Sequence, residues 1–530
     1  MSSEATPETE LKVVEASGSS SALSLINDEF RDIDSTPVSK QELRAFYIMG
    51  ASMDPATFGA VGFFIPLIVQ TLTAGSGFTH DNHAVPCDIS GSFTCDVQFA
   101  GNWVDSTALF FYGVVISTII QAFIFICFGS VADHNSYRKT LWVAFSLVGS
   151  ISCILFPALT SYSSFVFGWI LTVIIITCLG VCWMLVYAYL PLLARNHPDF
   201  LAAAEKKDAT RESLLADLDQ VTNTVSSRGF IWMYSTTLGF LLLVIALALF
   251  YSPAKPLPET YALQLGVCLY GVVWLVGIPF VQKYLRTRPG PAFPAGSNVL
   301  TYSTKNVVSA LSKARQLRNL FVFLIGWFLY SDSFNTLSSV AILWAQSHLG
   351  FTTKDTLVLA VIVPVCGVLG TFLWKIAQDR FKISSKRVLI LQNALYSIVP
   401  LWGCLGLIPG SPVGYQTKIE VYFFSALHGL IVGATQSSCR ALFSQLLPPG
   451  SESEFFSLYE ITDKGSSWVG PLIVAAIDNS GANKLLSMVF LGLQFLASLF
   501  FFSLVNVEKG IEDGREFGRI AREKEESAQE

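Results

Sequence analysis

Residues 164–190 read SFVFGWILTVIIITCLGVCWMLVYAYL, 27 residues without one charged side chain. As a helix rising about 1.5 Å per residue, the stretch reaches roughly 40 Å. The hydrocarbon core of a bilayer is about 30 Å thick, so the stretch spans it. Only closed helices or barrels satisfy their backbone groups in lipid. Eleven more apolar stretches flank this one. The spans fall near 44–73, 105–128, 140–159, 164–190, 229–251, 261–282, 319–345, 356–375, 387–408, 419–446, 457–478 and 484–505. The eleventh is the weakest, because it begins polar.

Composition agrees. Hydrophobic residues make up 52%, charged residues 14%, and mean hydropathy is +0.52. A soluble domain carries about 25% charged residues. The net charge of −5 says little, because charge is sorted by loop. With an inside N-terminus, 28 of the 34 Lys and Arg fall at inside segments and four outside; Arg440 and Lys464 lie within spans. The positive-inside rule then puts both termini in the cytosol. No secretory signal precedes the first span, which is expected to serve as the targeting signal.

Residues 1–42 are polar and read as a disordered cytosolic tail. Residues 43–284 and 319–505 read as two six-helix bundles, joined by a cytosolic linker at 285–318 and followed by a tail at 506–530. The linker carries Pro289-Gly290-Pro291 and Pro294-Ala295-Gly296, typical linker punctuation. Three short motifs recur in the same order in both halves. Asp54 in the first span matches Asp332 in the seventh. Gly129-Ser130-Val131-Ala132-Asp133-His134 with Arg138-Lys139 matches Ile376-Ala377-Gln378-Asp379-Arg380 with Lys386-Arg387. Arg228-Gly229 matches Lys464-Gly465.

The loop Gly129-x-x-Ala132-Asp133 with Arg138-Lys139 resembles the signature loop of the major facilitator superfamily, although His134 stands at the common Arg position and the basic pair sits one residue late. That resemblance implies two pseudo-symmetric bundles around a central cavity, with alternating access. The runs Ala132–Leu141, Leu190–Pro198 and Leu447–Trp468 are similar to those of the autophagy-related protein 22 family, fungal vacuolar amino-acid effluxers. The similarity extends over about residues 40–505. It implies a vacuole-membrane protein that exports neutral amino acids, branched and aromatic, after autophagic breakdown.

Several residues carry chemistry inside the spans. Asp54 and Asp332 are intramembrane carboxylates, costly there and so expected to face a cavity or a partner. Each reads either as a proton-coupling acid or counter-charge for an amino group, or as a hydrogen-bonded acid that pins helix packing. Pro55 loosens the helix beside Asp54. Glu460, Asp463 and Lys464 share one helical face, with Glu460 placed to pair with Lys464. They read as a self-neutralised helix end, or as a gate or substrate contact. Arg440 is expected to pair with that cluster, to bind a carboxylate, or to snorkel. His428 reads as a packed residue or as a titrating group. Gln436 with Ser437 and Ser438 offers hydrogen bonds to substrate or to a neighbouring helix. Asp133 with Arg138, and Asp379 with Arg380, read as conformational latches on the cytosolic face, Arg440 joining them.

Cys87 and Cys95 lie in the first outer loop, where a disulfide is expected. His80 and His83 precede them at a spacing too weak to call a metal site. No phosphate-binding Gly-Lys-Ser/Thr loop occurs, so ATP hydrolysis, other enzymatic activity and a cofactor are not expected. Nor is a nucleic-acid partner. The expected partners are amino acids, protons and the lipid bilayer. Two alternatives stay open: a membrane solute receptor or scaffold without significant transport, and a transporter of another small solute.

Overall fold

The computed structural model describes residues 34–529, except 81, 88–94, 207–209, 251–259, 294–297, 299–301, 304, 306–313, 352, 467–468, 471–472, 475–476 and 478–484. The expectations for residues 1–33, for Pro294-Ala295-Gly296 and for the far end of the eleventh span lie outside the described residues.

The chain enters its first helix, α1 (Lys40–Ala51), because Ser39 caps it: the Ser39 hydroxyl accepts from the Glu42 N–H at 3.1 Å. Pro55 has no N–H to continue the ladder. The Met53 carbonyl instead accepts from both Ala56 and Thr57, and the path widens into a π-helical segment, Ala56–Phe64. Such segments mark functional positions in many helices. α2 (Ile65–Gly75) completes the first crossing.

On the far side four short strands, β1 (Phe78–Thr79), β2 (Asn82–Pro86), β3 (Cys95–Phe99) and β4 (Asn102–Asp105), form an antiparallel sheet in the order β2-β1-β3-β4. The apolar-run reading gave no sign of this sheet. Its strands are too short to carry a period-2 pattern. Cys87 and Cys95 are joined by a disulfide, their Cα atoms 5.9 Å apart.

The remaining helices are α3 (Ser106–Phe128), α4 (Tyr137–Ile154), α5 (Phe165–Arg195), the short α6 (Pro198–Ala204), α7 (Arg211–Phe250) and α8 (Tyr261–Tyr284). After the linker come α9 (Arg318–His348), α10 (Thr353–Phe381), α11 (Ser385–Leu405), α12 (Lys418–Leu446), α13 (Glu452–Ser466), α14 (Leu486–Leu504) and α15 (Val507–Gln529). Ten described segments are long and apolar enough to cross a membrane. α12 and α13 are not among the ten. α12 carries Gln436, Ser437, Ser438 and Arg440 on a face that meets protein rather than lipid, and α13 is described over 15 residues, Glu452–Ser466. Lipid-facing character is plain elsewhere: Phe111, Val115, Ile119 and Phe123 recur every fourth residue of α3 and are 54–64% exposed. In water such a stripe would be an aggregation site.

Packing sorts the long helices into two groups, α1 to α8 and α9 to α14. They meet where α7 packs on α10 and α12, and where α13 packs on α3 and α5. The described start of the chain and α15 share one face, called here the terminal face. There the Val38 N–H donates to the Asn196 carbonyl (2.9 Å), and Arg288 forks onto both oxygens of Glu42 (2.8 and 3.0 Å). The start of the linker is therefore tied down: Asn135 and the Gly290–Pro291 backbone exchange two hydrogen bonds of 2.9 Å. α15 lies across the same face. Gly510, Gly514 and Gly518 bring it against Leu446, Leu447 and Pro449, and a Cβ at Gly514 would meet the Leu446 carbonyl oxygen at 2.9 Å.

Candidate transport site between the two helix groups

The terminal face is closed by a buried charge network. Val131–Asp133 forms one turn of 3-10 helix, which aims Asp133 at the start of α13. Its two oxygens accept from the N–H groups of Ser453 (2.8 Å) and Glu454 (3.0 Å). A carboxylate from one helix group thus caps a helix of the other, where the peptide dipoles favour negative charge. Arg138 donates to Asp133 (2.5 Å), to the Ser453 hydroxyl (3.0 Å) and to Glu452 (3.5 Å). Arg195, at the end of α5, donates to the other Glu452 oxygen. All four charged side chains are nearly inaccessible. Gly129 permits the approach, since a Cβ there would meet Ser457 Oγ at 2.7 Å.

Asp133 and Arg138 were nominated from sequence; Arg195 and Glu452 were not. Both lie inside the family-like runs, where an acid opening a helix and an Arg closing one were the available signals. The second nominated pair behaves differently. Asp379 accepts from Lys375 at 2.7 Å, one turn back on its own helix, and Arg380 is exposed. Neighbours i and i+1 on a helix point apart. The cross-contact at this level is made by hydrogen bonds rather than an ion pair: Asn223 donates to Gln378 (2.7 Å), and Asp219 accepts from the Ser385 N–H (2.9 Å) and from Gln445 (2.8 Å). Ser437 meets both Ser226 (3.0 Å) and Ser227 (3.1 Å).

Deeper, between the groups, lies a charged and aromatic centre. At about 1.5 Å per residue, Arg440 sits roughly 10 Å up α12 from its terminal-face end, and Glu460 roughly 12 Å along α13 from the network. The Arg440 guanidinium stacks 4.0 Å over the Tyr187 ring, with Phe230 at 5.1 Å and Tyr459 at 5.8 Å. It donates to the side chain (2.5 Å) and carbonyl (3.1 Å) of Gln436 on its own helix. Asp54, on the loosened segment of the first crossing, accepts from the Thr237 hydroxyl at 2.6 Å. One residue beyond the π-segment's start, Thr57 accepts from Trp183 at 3.0 Å. Tyr187 feels the charges of Arg440, Glu460, Asp54 and Asp463 together. Lys464 pairs with Asp463 (3.3 Å) rather than with Glu460, and Asp463 also accepts from Ser331. Ser438 is buried on α12.

The structure does not bring Asp332 and His428 to this centre. Asp332 is fully buried within the second group, accepting from Gln494 (2.6 Å) and from the Gly470 N–H (3.0 Å). His428 bonds the Tyr396 hydroxyl and stacks on Phe334, nearer the far side of α12.

Residues 38–515 match the family described as Vacuole effluxer Atg22 like. The chain belongs to this Atg22-like family. Among curated relatives, Autophagy-related protein 22-2 of Emericella nidulans is 29% identical, the alignment covering 91% of this chain and 93% of the relative. Autophagy-related protein 22-1 of Penicillium rubens is 29% identical over 92% and 93%. Among solved structures, the proton:xylose symporter XylE superposes with a TM-score of 0.60 at 14% identity, covering 91% of this chain and 100% of that one. FucP in the outward conformation gives 0.57 at 13%, covering 88% and 98%. These likenesses show the major facilitator fold. This Atg22-like chain is a multi-pass membrane protein and a vacuolar transporter.

Proposed function

We propose that this Atg22-like protein exports neutral amino acids, leucine-like and tyrosine-like, from the vacuole lumen to the cytosol by alternating access. One observation supports the reading best: a buried ionic closure at the terminal face, with a charged centre behind it between two separable helix groups. In this assignment the terminal face is cytosolic, the strands are lumenal, and the form described is closed to the cytosol. A salt-bridged closure biases the access equilibrium only if it breaks in the other form. Its partners come from both groups, so separating them breaks it.

The export is driven by co-moving a proton out of an acidic lumen, and Asp54 carries that proton. Asp54 accepts from a neutral hydroxyl, Thr237, whereas Asp463 at the same centre is paired with Lys464. Asp332 is engaged inside its own group, which suits a packing role. The test is labelled leucine flux in proteoliposomes of the purified protein under an imposed pH gradient. Flux that follows the gradient, and loses that dependence in Asp54→Asn, supports the mechanism. Absence of leucine flux rejects the cargo; gradient-dependent flux in Asp54→Asn rejects the coupling residue.

A further inference from the structure

Two opposite charges at the centre lack partners of their own. Arg440 is only 8% exposed; among the described residues its Nε has no hydrogen-bond partner, and its other donations go to neutral Gln436. Among the described residues no carboxylate comes within 4.0 Å of it. Glu460, on α13, is 3% exposed, and among the described residues its carboxylate makes no hydrogen bond or ion pair. They are neighbours nonetheless: the Arg440 guanidinium lies 5.8 Å from the ring of Tyr459, the residue before Glu460. A buried charge without a counter-ion in contact is expensive, and proteins avoid it. Here Arg440 rests on the rings of Tyr187 and Tyr459 instead of closing on Glu460.

We propose that Arg440 and Glu460 form a receptor for a zwitterion, Arg440 taking the carboxylate and Glu460 the ammonium group. The assignment rests on the amino-acid reading above and says which atoms do the reading. The guanidinium offers Nε and an adjacent Nη as the two-pronged donor that matches a carboxylate. Gln436 and the Tyr187 ring hold the fork's plane before the ligand arrives. Asp54 is less suited to the ammonium, because Thr237 already occupies one of its oxygens. Lys464 and Asp463 neutralise each other and leave the Arg440–Glu460 gap with no net charge. A ligand bearing one charge of each sign completes both groups at once. A simple amine or a simple acid satisfies one and leaves the other bare.

The experiment is ligand-induced thermal stabilisation of the purified full-length protein, titrated with leucine, 4-methylpentanoate (no amine), isoamylamine (no carboxylate) and glycine betaine. Leucine is expected to bind about 10- to 100-fold more tightly than either single-charge analogue, the range of a lost charge-assisted bond to a buried partner. Glu460→Gln is expected to collapse the ratio of leucine to 4-methylpentanoate affinity, and Arg440→Gln the ratio of leucine to isoamylamine affinity. Arg440→Lys, which keeps the charge without the fork, serves if Arg440→Gln fails to fold, and is expected to weaken leucine about tenfold. A purely structural role would lower melting temperatures without changing these ratios. Unchanged ratios in the folded variants, or a wild type stabilised equally by leucine and its single-charge analogues, overturn the receptor. Stabilisation by glycine betaine with none by leucine keeps the receptor and rejects the amino-acid cargo.

Discussion

Replacing Glu452 by glutamine removes the negative charge that Arg138 and Arg195 share. Both guanidinium groups and the carboxylate are more than nine-tenths buried. Deleting one partner of such a pair costs about 3–5 kcal/mol, because the other charge stays desolvated. Since 1.4 kcal/mol is a factor of ten, the closed form should lose roughly 100- to 4,000-fold against the form open to the cytosol. The lower end is the better figure. Arg138 keeps Asp133 at 2.5 Å and so is not left without a counter-charge. The readout is cross-linking of Ser227→Cys with Ser437→Cys, whose hydroxyls lie 3.1 Å apart across the interface, in a background with the eight free cysteines replaced. We expect rapid bridging with native Glu452 and at least a tenfold slower rate with Glu452→Gln. Equal bridging rates in two folded proteins would refute the argument that this network holds the terminal face shut.

Asp332→Ala should strand the Gly470 N–H and the Gln494 amide, at about 1–3 kcal/mol each; the melting temperature should drop while the pH dependence of residual transport stays as in wild type. A changed pH profile would return Asp332 to the coupling machinery. In the sheet, hydrogen bonds from His83 and His80 hold the Asp96 carboxyl below its ordinary value. A carboxyl with a depressed native value stabilises above the ordinary value and loses that contribution as pH falls through the lower one. The Cys87–Cys95 bond should therefore resist phosphine reduction evenly from neutral pH down to about pH 4 and weaken below, whereas Asp96→Asn should be reduced faster across the whole range. Equal rates would remove the clasp. Gly514→Leu places a side chain where the Leu446 carbonyl leaves no room, so α15 should lift off and limited trypsin should cut at Arg515 or Arg519 in the variant before it cuts wild type.

The architecture was legible because lipid imposes a coarse rule: long uncharged runs, with Lys and Arg left on one side. The rule was weakest at α13, which opens on Glu452-Ser453-Glu454 and so begins polar. Asp54 was found because a carboxylate in a greasy run stands out, and Pro55 announced the broken ladder that follows. What pairs with what was not legible. Asp332 resembled Asp54 by its place in the repeat, yet a glutamine on α14, some 160 positions along the chain, decides its environment. Asp379 and Arg380 matched the first loop by pattern, but Asp379 accepts from Lys375 one turn back and Arg380 stays exposed. Arg195 and Glu452 looked like ordinary helix-end charges until folding put them together. Tyr187 was hidden in the most apolar stretch of all, where nothing separates a ring that supports a guanidinium from one that only fills space.

α13 carries Glu452 and Ser453 at its tip and Glu460 two turns further on. Two turns of continuous helix are stiff, so the segment from Glu452 to Glu460 acts as a lever with the lock at one end and the cargo-reading acid at the other. A tug of an ångström or so on Glu460 by an arriving ammonium must tilt the tip, and the tip is where Asp133 and Arg195 hold on. Occupancy and release are in this way spoken through one piece of backbone, with no relay of side chains needed between them.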